Sequence, residues 1–273
     1  MWPCAAEDTM AVPTALTIAG SDSSGGAGIQ ADLKTMSAFG VFGTTAITAV
    51  TAQNTLGVTD SLFLAPELVA KQIDAVVEDL GADAAKTGML GTVEVIEVVA
   101  ERVARHAIRN LVVDPVMIAT SGASLIEDDA VAALRGALLP RAFLVTPNGP
   151  EAETLGGVRV TSVETMEEAA RAVHALGPAN VLVKAGHVEG CATDVLFDGE
   201  TVTRFTADRI DGGKIHGTGC TLSAAIASAL ALGLDLIDAV AAAKSYVTRG
   251  IAAALPMGKG SALVNHFVPS EAE

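Results

Sequence analysis

The chain contains few aromatic residues, and this scarcity limits how its core can be built. Aromatic side chains make up 3% of the 273 residues, although half of the residues are hydrophobic. The core must therefore consist mainly of alanine, valine, leucine and isoleucine. Small apolar residues in such numbers suit helices that pack closely on a parallel sheet. A chain of this length is sufficient for one large α/β domain.

Cysteine is also scarce, and long apolar runs are missing. Cys4, Cys191 and Cys220 form neither a disulfide framework nor a spacing typical of metal sites, which favours a reducing interior such as the cytoplasm. No stretch resembles a membrane span of about twenty residues. The N-terminal residues lack a basic region followed by an apolar run, so we expect no secretory signal there. Met10 is an alternative start to Met1.

Positive charge is the third deficit. Seventeen basic residues stand against 32 acidic ones, which gives a formal net charge of −15 at pH 7. This excess of negative charge argues against a general surface for nucleic acids or anionic membranes. It does not exclude a small phosphorylated ligand, because a few backbone N–H groups and lysines are enough to bind one.

Short apolar strands alternate with helical patterns along the chain, which predicts a mostly parallel, doubly wound sheet flanked by helices in a single α/β domain. We expect this domain to cover residues 15–268, with flexible tails at 1–14 and 269–273. The last two strands predict a hairpin. The predicted strands are Ala15–Ala19, Val41–Val50, Ala82–Lys86, Leu111–Val113, Phe143–Val145, Val181–Val183, Asp194–Phe197 and Thr201–Phe205. The predicted helices are Ile29–Phe39, Pro66–Leu80, Thr92–His106, Asp128–Leu138, Glu164–Leu176, Thr218–Leu232 and Leu236–Ala254.

Polar residues follow the predicted strands at their C-terminal ends, the edge at which open parallel sheets bind ligands. Each has a purely structural alternative, since Asp114 before proline can shape a turn and Asn148 with Glu151 can simply cap a helix. Several unrelated coincidences on one edge would then be needed, so the pattern favours a ligand site. The residues concerned are Gly20, Ser21, Asp22, Asp114, Asn148, Glu151 and Lys184.

The run HGTGCT, from His216 to Thr221, leads directly into a predicted helix. Its two glycines permit a tight turn, after which several backbone N–H groups and the positive end of a helix dipole point at one spot. An anion fits there, with Cys220 beside it. Taken alone, a glycine-rich helix start with a buried cysteine explains so short a motif better than an anion site does.

Longer motifs extend over nearly the whole chain, from about Ala15 to Phe267. They are AGSDSSGGAGIQADLK from Ala19, TAVTAQNT from Thr48, KTGML from Lys86, DPVM from Asp114, TPN from Thr146 with Glu151, HGTGCTLSAA from His216 and GKGSALVNHF from Gly258. Together they resemble the hydroxymethylpyrimidine and phosphomethylpyrimidine kinases of thiamine biosynthesis. The resemblance implies the ribokinase-like fold of that superfamily.

The same resemblance implies transfer of a phosphoryl group from ATP, with Mg²⁺, to a primary hydroxyl on hydroxymethylpyrimidine and then to the monophosphate. It also implies a homodimer. The implied pyrimidine pocket consists of Gly20, Asp32, Gln53, Met89 and Val116. The implied anion hole and catalytic centre consist of Gly217, Thr218, Gly219 and Cys220. The implied ATP-binding residues are Lys184, Asp114, Glu151 and Thr218, with Asp114, Glu151 and Asn148 holding the metal directly or through water and residues 208–214 covering the nucleotide.

Cys220 stands where sugar kinases of the superfamily carry an aspartate base. A free thiol titrates near about 8.5, and a helix N-terminus lowers that pKa, so we expect a thiolate that takes the hydroxyl proton near neutral pH. The alternative is that Cys220 only positions the hydroxyl, because a loose transition state loses its proton late.

Two other functions remain open. A pyridoxal kinase of the same fold carries a similar turn, although Gln53 with Met89 favours the pyrimidine. A non-catalytic ligand-binding module is the second possibility. Against it stand Asp114, Glu151, Lys184 and the intact GTGC turn.

Overall fold

The computed structural model describes residues 12–117, 128–185, 192–210, 213 and 215–270 of the chain. Within these residues, strands from both halves of the chain form one central sheet. They are β1 (Thr14–Asp22), β2 (Phe42–Asn54), β3 (Gly57–Phe63), β4 (Ala84–Thr87), β5 (Leu111–Val113), β6 (Leu144–Val145), β7 (Asn180–Val183), β8 (Thr193–Phe197) and β9 (Val202–Thr206). Their order across the sheet is β3-β2-β1-β4-β5-β6-β7-β8-β9.

The pairings in the middle of this sheet, from β2 to β7, are all parallel. The outer strands β3, β8 and β9 pair antiparallel with their neighbours. A separate two-stranded parallel pair joins β10 (Ile215–His216) to β11 (Ala262–Leu263). The predicted mostly parallel sheet in one α/β domain is therefore confirmed, as is the predicted hairpin of β8 and β9.

Helices cover both faces of the sheet and bury its apolar side chains. They are α1 (Gly28–Ala38), α2 (Pro66–Asp79), α3 (Val93–Arg105), α4 (Asp128–Ala133), α5 (Gly149–Gly156), α6 (Val163–His174), α7 (Thr218–Ala231) and α8 (Leu236–Ala252). Helices α1, α7 and α8 pack on one face, around Met36, Ile226 and Tyr246. Helices α2, α3 and α6 pack on the other, around Ile73, Val99 and Met166.

Helix α7 carries the GTGC turn and is buried almost all round. Its alanines and serines let α1 and α8 approach closely, and the Ser228 hydroxyl donates to the carbonyl oxygen of Ala224 at 2.8 Å. Serine hydroxyls can thus be buried without loss of a hydrogen bond. The helix lies inside the protein, as predicted. Among the described residues, no helix combines the length and hydropathy needed to cross a bilayer.

Strands β3, β10 and β11 and helix α5 were not predicted, and each has a weak hydrophobic signal. Strand β3 is mostly exposed, so it lacks the alternation of a half-buried strand. Helix α5 is short and follows its Asn148 cap with Gly149 and Pro150. The β10–β11 pair is only two residues long on each side. The predicted helix Asp128–Leu138 instead ends its α-helical part at Ala133 and continues as a π-helical turn.

The predicted tails lie largely outside the described residues. Thr14, predicted to be in the N-terminal tail, already belongs to β1, where its backbone N–H donates to Asp83 Oδ2 at 2.8 Å. In the C-terminal tail, Arg249 donates to the carbonyl oxygens of Pro269 and Ser270. Residues 211, 212 and 214 of the predicted nucleotide cover are also outside the described part.

Candidate active site

The predicted site residues gather at the C-terminal edge of the parallel strands. Asp114 follows β5 directly, and Lys184 follows β7. Helix α7 begins at the same edge, because a Cβ built on Gly219 would lie 3.4 Å from Lys184 Nζ and 3.7 Å from Asp114 Oδ2. This is the crevice in which open α/β sheets bind ligands.

The GTGC turn has the geometry of an anion site. Gly217 caps α7 in the left-handed conformation, with φ of 88°, and no side chain of the described residues caps this helix end. The first N–H groups of a helix have no partner within the helix, so those of Thr218, Gly219 and Cys220 are available to a ligand. A Cβ on Gly217 would lie 1.8 Å from the carbonyl oxygen of Gly26, so only glycine fits here.

A fully buried ion pair lies near Cys220 on the predicted substrate side. Lys86 Nζ is 3.0 Å from both carboxylate oxygens of Asp32, and the Thr17 hydroxyl donates to Asp32 Oδ2 at 2.6 Å. Neither charged side chain has any exposed surface. Burial works against the charge of Lys86, but the Asp32 carboxylate outweighs it and raises the pKa of Lys86. Lys86 therefore stays protonated near the GTGC turn.

A second polar cluster joins the β1–α1 loop to the GTGC turn. His216 Nε2 lies 3.0 Å from Asp22 Oδ2 and 3.1 Å from Gln53 Nε2. Asp22 also accepts the N–H groups of Ser24 and Ala27, each at 2.8 Å. Burial opposes ionisation of Asp22, but the hydrogen bonds from His216 and Ser24 outweigh it and lower the pKa of the carboxyl. The loop is thus fixed against the turn by charge-assisted hydrogen bonds.

Of the remaining predicted pyrimidine contacts, Met89 lies directly against Gly20. A Cβ on Gly20 would be 2.5 Å from Met89 Cε, so the thioether packs directly on the backbone of β1. Met89 is partly buried, with its carbonyl oxygen held by the Thr48 hydroxyl at 2.6 Å, and Val116 is partly buried as well. Gln53, also partly buried, adds an amide. These side chains provide apolar surface and one polar group, as a site for a planar heterocycle requires.

The opposite half of the edge carries the charged residues predicted for ATP and metal. Lys184 Nζ is 2.8 Å from Asp114 Oδ1, and the Ser223 hydroxyl of α7 donates to Asp114 Oδ2 at 3.3 Å. Burial works against the charge of Lys184, but Asp114 and Glu151 outweigh it and raise the pKa of Lys184. A protonated lysine therefore stands beside the anion site.

Asn148 and Glu151 cap α5 and also face this half. Each side chain accepts the other residue's backbone N–H, at 2.9 and 2.8 Å, which is a capping box. The capping role offered by the sequence is therefore confirmed. Burial raises the pKa of Glu151 to about 7, with Asp114 acting in the same direction and Lys184 against it. A cation placed here would restore the ionised carboxylate.

Cys220 does not have the lowered pKa that its place at a helix N-terminus predicts. Burial raises the pKa of the thiol to about 11, although Lys86 and the backbone N–H of Gly28 act in the opposite direction. The carboxylates of Asp32 and Asp114 add to the effect of burial. A neutral thiol at pH 7 favours the alternative that Cys220 positions the hydroxyl, and its role as a base stays a prediction.

The structure also assigns roles that sequence reasoning missed. A lysine within a buried apolar strand requires an acidic partner, so the sequence around Lys86 carries a signal for the ion pair with Asp32. The contact of Ser223 with Asp114 follows from its position one turn into α7. His216 and His266 contact residues distant in sequence, so no local pattern indicates them.

Comparison with known proteins identifies close relatives. The family model described as phosphomethylpyrimidine kinase matches residues 22–265. The hydroxymethylpyrimidine/phosphomethylpyrimidine kinase of Rhizobium meliloti (strain 1021) is 52% identical over 257 residues, covering 93% of this chain and 96% of that protein. The thiamine biosynthesis bifunctional protein ThiED of Geobacter sulfurreducens is 50% identical over 257 residues. That match covers 94% of this chain, which spans about half of the longer protein, 52%.

A solved structure gives the same fold. The crystal structure of an ADP complex of Bacillus subtilis pyridoxal kinase matches with a TM-score of 0.86 at 38% sequence identity, covering 93% of this chain and 97% of that one. The predicted ribokinase-like architecture and the predicted kinase class are thereby confirmed. The motif resemblance, the family model and relatives at about half identity agree, and the chain belongs to the phosphomethylpyrimidine kinase family.

Proposed function

We propose that this chain transfers the γ-phosphoryl group of ATP to the hydroxyl of 4-amino-5-hydroxymethyl-2-methylpyrimidine, and then to the monophosphate to give the diphosphate. The observation that carries this proposal is the position of the uncapped GTGC turn. On one side of the turn, His216 contacts Gln53. On the other side, Gly219 faces Lys184 and Asp114. The product serves thiamine diphosphate biosynthesis.

In this proposal the pyrimidine lies between Gly20, Met89 and Val116, and the amide of Gln53 pairs with the ring edge. An aminopyrimidine offers both donors and acceptors to such an amide. Asp32 lies behind the pocket with its oxygens bound to Lys86 and Thr17. A contact of Asp32 with the bound pyrimidine stays a prediction.

The transfer itself requires alignment and charge stabilisation more than covalent chemistry. The N–H groups of Thr218, Gly219 and Cys220 would bind the transferring group, because they have no helical acceptor. Lys184 would contact the ATP phosphates, because its Nζ lies 3.4 Å from the position that a Cβ on Gly219 would occupy at the start of α7. The hydroxyl oxygen bonds to the γ-phosphorus while the bond to the ADP oxygen breaks.

Cys220 would hold the substrate hydroxyl in line as a neutral thiol. Its pKa of about 11 leaves little thiolate at pH 7. In a loose transition state the hydroxyl becomes acidic only after the bond to ADP is largely broken, so a strong base is not required. The proton of the hydroxyl then passes to the transferred phosphate and leaves with the phosphorylated product.

The acidic residues fit Mg²⁺. Asp114, Glu151 and Asn148 offer oxygen donors, which a hard cation prefers over nitrogen or sulfur. Burial, with Asp114 acting in the same direction, raises the pKa of Glu151 to about 7, and a bound cation would favour its ionised form. Bound Mg²⁺ would neutralise phosphate charge during transfer.

Pyridoxal kinase is the second candidate, and the fold match with a TM-score of 0.86 favours it. The 52% identity to a pyrimidine kinase against 38% to a pyridoxal kinase favours the pyrimidine. The test is to measure kcat/KM for hydroxymethylpyrimidine and for pyridoxal with the same protein preparation and saturating MgATP. A higher value for the pyrimidine is expected. A preference for pyridoxal would overturn the proposal, and no ATP consumption with either alcohol would favour a ligand-binding module.

We also propose that the chain works in the cytoplasm, where ATP is available, and that it forms a homodimer. Apolar side chains along the exposed hairpin of β2 and β3 support the dimer, among them Val50, Leu62 and Phe63. An edge strand with such side chains is usually covered. Analytical ultracentrifugation should show a dimer for the wild-type protein. The Leu62→Lys variant should dimerise more weakly. A monomeric wild-type protein would contradict the proposal.

A further inference from the structure

The C-terminal segment, Gly258–Phe267, contacts both the turn after β2 and the start of α7, although the proposed reaction uses none of its residues. At one end, the N–H groups of Lys259 and Gly260 bond to the Thr55 hydroxyl at 3.3 and 3.1 Å. The N–H of Ser261 donates to the Thr55 carbonyl oxygen at 3.0 Å. Thr55 follows β2 closely after Gln53. The segment thus begins by holding the turn that carries the predicted pyrimidine contact.

Beyond this turn, the segment pairs with the strand that precedes the GTGC turn. Strand β11 pairs with β10, with His216 opposite Leu263. A Cβ on Gly26 would lie 2.7 Å from Leu263 Cδ2 and 2.8 Å from His216 Cδ2, so the β1–α1 loop packs tightly against this pair. The segment therefore reaches the GTGC turn along its N-terminal side.

At the other end, His266 contacts the first turn of α7. Its Nε2 lies 3.0 Å from the Thr221 hydroxyl, which in turn lies 2.8 Å from the carbonyl oxygen of Gly217. His266 and Thr221 are both buried. The Gly217 carbonyl can only accept, so the hydroxyl hydrogen points to it and the hydroxyl oxygen accepts from His266 Nε2–H. Only in this arrangement do the His266 N–H, the Thr221 hydroxyl and the Gly217 carbonyl all take part in hydrogen bonds.

The orientation of the Gly217 peptide decides where the following N–H groups point. Gly217 has a left-handed conformation without a side chain, so its own preferences do not fix it. The backbone N–H of Thr221 reaches the same carbonyl at 2.9 Å, and the hydroxyl adds a second bond. We infer that His266 is a positioning residue for phosphoryl transfer, which acts through Thr221 to hold the anion-binding N–H groups in place.

The charge state of His266 is consistent with this role. Burial lowers the pKa of His266 to about 4, with Lys34 acting in the same direction. The ring is therefore neutral under ordinary conditions and carries a single N–H. Tyr246 donates to the carbonyl oxygen of His266 at 3.1 Å, which holds the backbone of the segment without touching the turn.

The test compares variants that keep or remove the donor. His266→Leu should lower kcat by about tenfold or more, because a displaced anion hole stabilises the transition state less well. His266→Gln, which keeps an N–H donor, should stay within about threefold of wild type on the same reasoning. Thr221→Val should behave as His266→Leu does, the double variant should be no worse than either, and Thr221→Ser should retain activity.

Tyr246→Phe is the matched control, since it removes a hydrogen bond of the same residue's backbone. It should lower the melting temperature while leaving kcat unchanged. Equal losses of kcat in Tyr246→Phe and His266→Leu would overturn the inference in favour of a merely structural role. Full kcat in His266→Leu would overturn it too, as would a loss in His266→Gln as large as that in His266→Leu.

This inference rests on the proposed function, and a second readout separates the two. Amide resonances of Thr218 and Gly219 in the ligand-free protein should move in His266→Leu and return towards wild type in His266→Gln. Unmoved resonances would contradict the positioning role whether or not the wild type turns over the pyrimidine. Absence of wild-type turnover would contradict only the proposed function. If His266→Leu fails to fold, Thr221→Val against Thr221→Ser provides the same comparison.

Discussion

The two halves of the active-site edge differ in how their charges are compensated. On the proposed pyrimidine side, Lys86 and Asp32 form a closed pair with no exposed surface. On the proposed nucleotide side, the carboxylates of Asp114 and Glu151 both act on Lys184, and the pKa of Glu151 rises to about 7. The Asp32 carboxylate therefore has a lysine partner before a ligand arrives, although burial raises the pKa of Asp32 as it does that of Glu151. On the nucleotide side, an added cation would favour the ionised carboxylate of Glu151.

This difference suits an enzyme whose acceptor carries a neutral heterocycle and whose phosphoryl donor, MgATP, is highly charged. A neutral heterocycle needs a preformed pocket whose polar groups are already satisfied. MgATP brings its own cation and phosphates, so a site with surplus carboxylate and one lysine becomes balanced only on binding. The GTGC turn lies where the two halves meet.

The largest effect is expected at that junction. Gly217→Ala should lower kcat by about 10³-fold, since its Cβ would lie 1.8 Å from the Gly26 carbonyl oxygen and the turn must move. Gly219→Ala meets nothing closer than 3.4 Å, so it should fold normally. Its methyl nevertheless points towards Lys184, and kcat should fall by about 10²-fold. Steady-state kinetics with thermal melts would check both, and normal kcat in Gly219→Ala would show that the transfer occurs elsewhere.

A test of the closed pair compares single and double replacement. Lys86→Met should lower the free energy of unfolding by about 3–5 kcal/mol, because it leaves Asp32 buried without a partner charge. Lys86→Met with Asp32→Leu should recover most of that loss. Urea unfolding measures both. The more exposed pair of Lys244 and Asp194, with Nζ and Oδ2 2.8 Å apart, is the control and should give a smaller loss on Lys244→Met. Equal losses at the two pairs would contradict the contrast.

The role of Cys220 can be sharpened by two variants and a pH series. A positioning thiol predicts that Cys220→Ser keeps kcat within about tenfold, while Cys220→Ala loses about 10²-fold, with ATP affinity unchanged in both. A positioning role also predicts that the kcat of the wild-type protein does not rise tenfold with each pH unit between pH 7 and pH 9. Such a rise, towards the thiol pKa of about 11, together with equal losses in both variants would instead establish a base.

The smallest effect concerns the pH dependence of stability in the ligand-free protein. Folded Glu151 keeps a proton up to about pH 7, whereas the unfolded side chain loses it near its ordinary value of 4.5. The folded state then binds more protons between these values, so stability falls as pH rises from 4.5 to 7. Glu151→Gln should remove a decline of about 2 kcal/mol, measured by urea unfolding at pH 5 and pH 8. Replacement of the exposed Glu153 on the same helix should not change the slope, and a slope retained in Glu151→Gln would refute this account.

The sequence predicts the framework of this fold because the central strands are buried on both faces. Continuous apolar runs such as Leu111–Val113 indicate parallel strands, and polar residues directly after them indicate the ligand edge. Strand β3 escaped prediction because it is exposed and obtains its order from pairing with β2. Its signal lies in tertiary contact and not in local pattern.

The same distinction applies to the site. Asp114, Lys184 and the GTGC turn follow from position along the chain, since each comes directly after a strand or before a helix. The pKa of Cys220 could not be predicted, because it depends on burial and on Asp32 and Asp114, which come from distant segments. A helix N-terminus alone predicts a lowered pKa, and the folded surroundings reverse the sign.

Product analysis tests the central proposal most directly. Wild-type protein is incubated with hydroxymethylpyrimidine, MgATP and, in parallel, pyridoxal, and phosphorus NMR follows the products. The two-half site predicts that ATP is consumed with the pyrimidine, that the monophosphate forms first and that the diphosphate follows as the monophosphate accepts a second phosphoryl group. Unconsumed ATP, or phosphorylation of pyridoxal in preference to the pyrimidine, would contradict it.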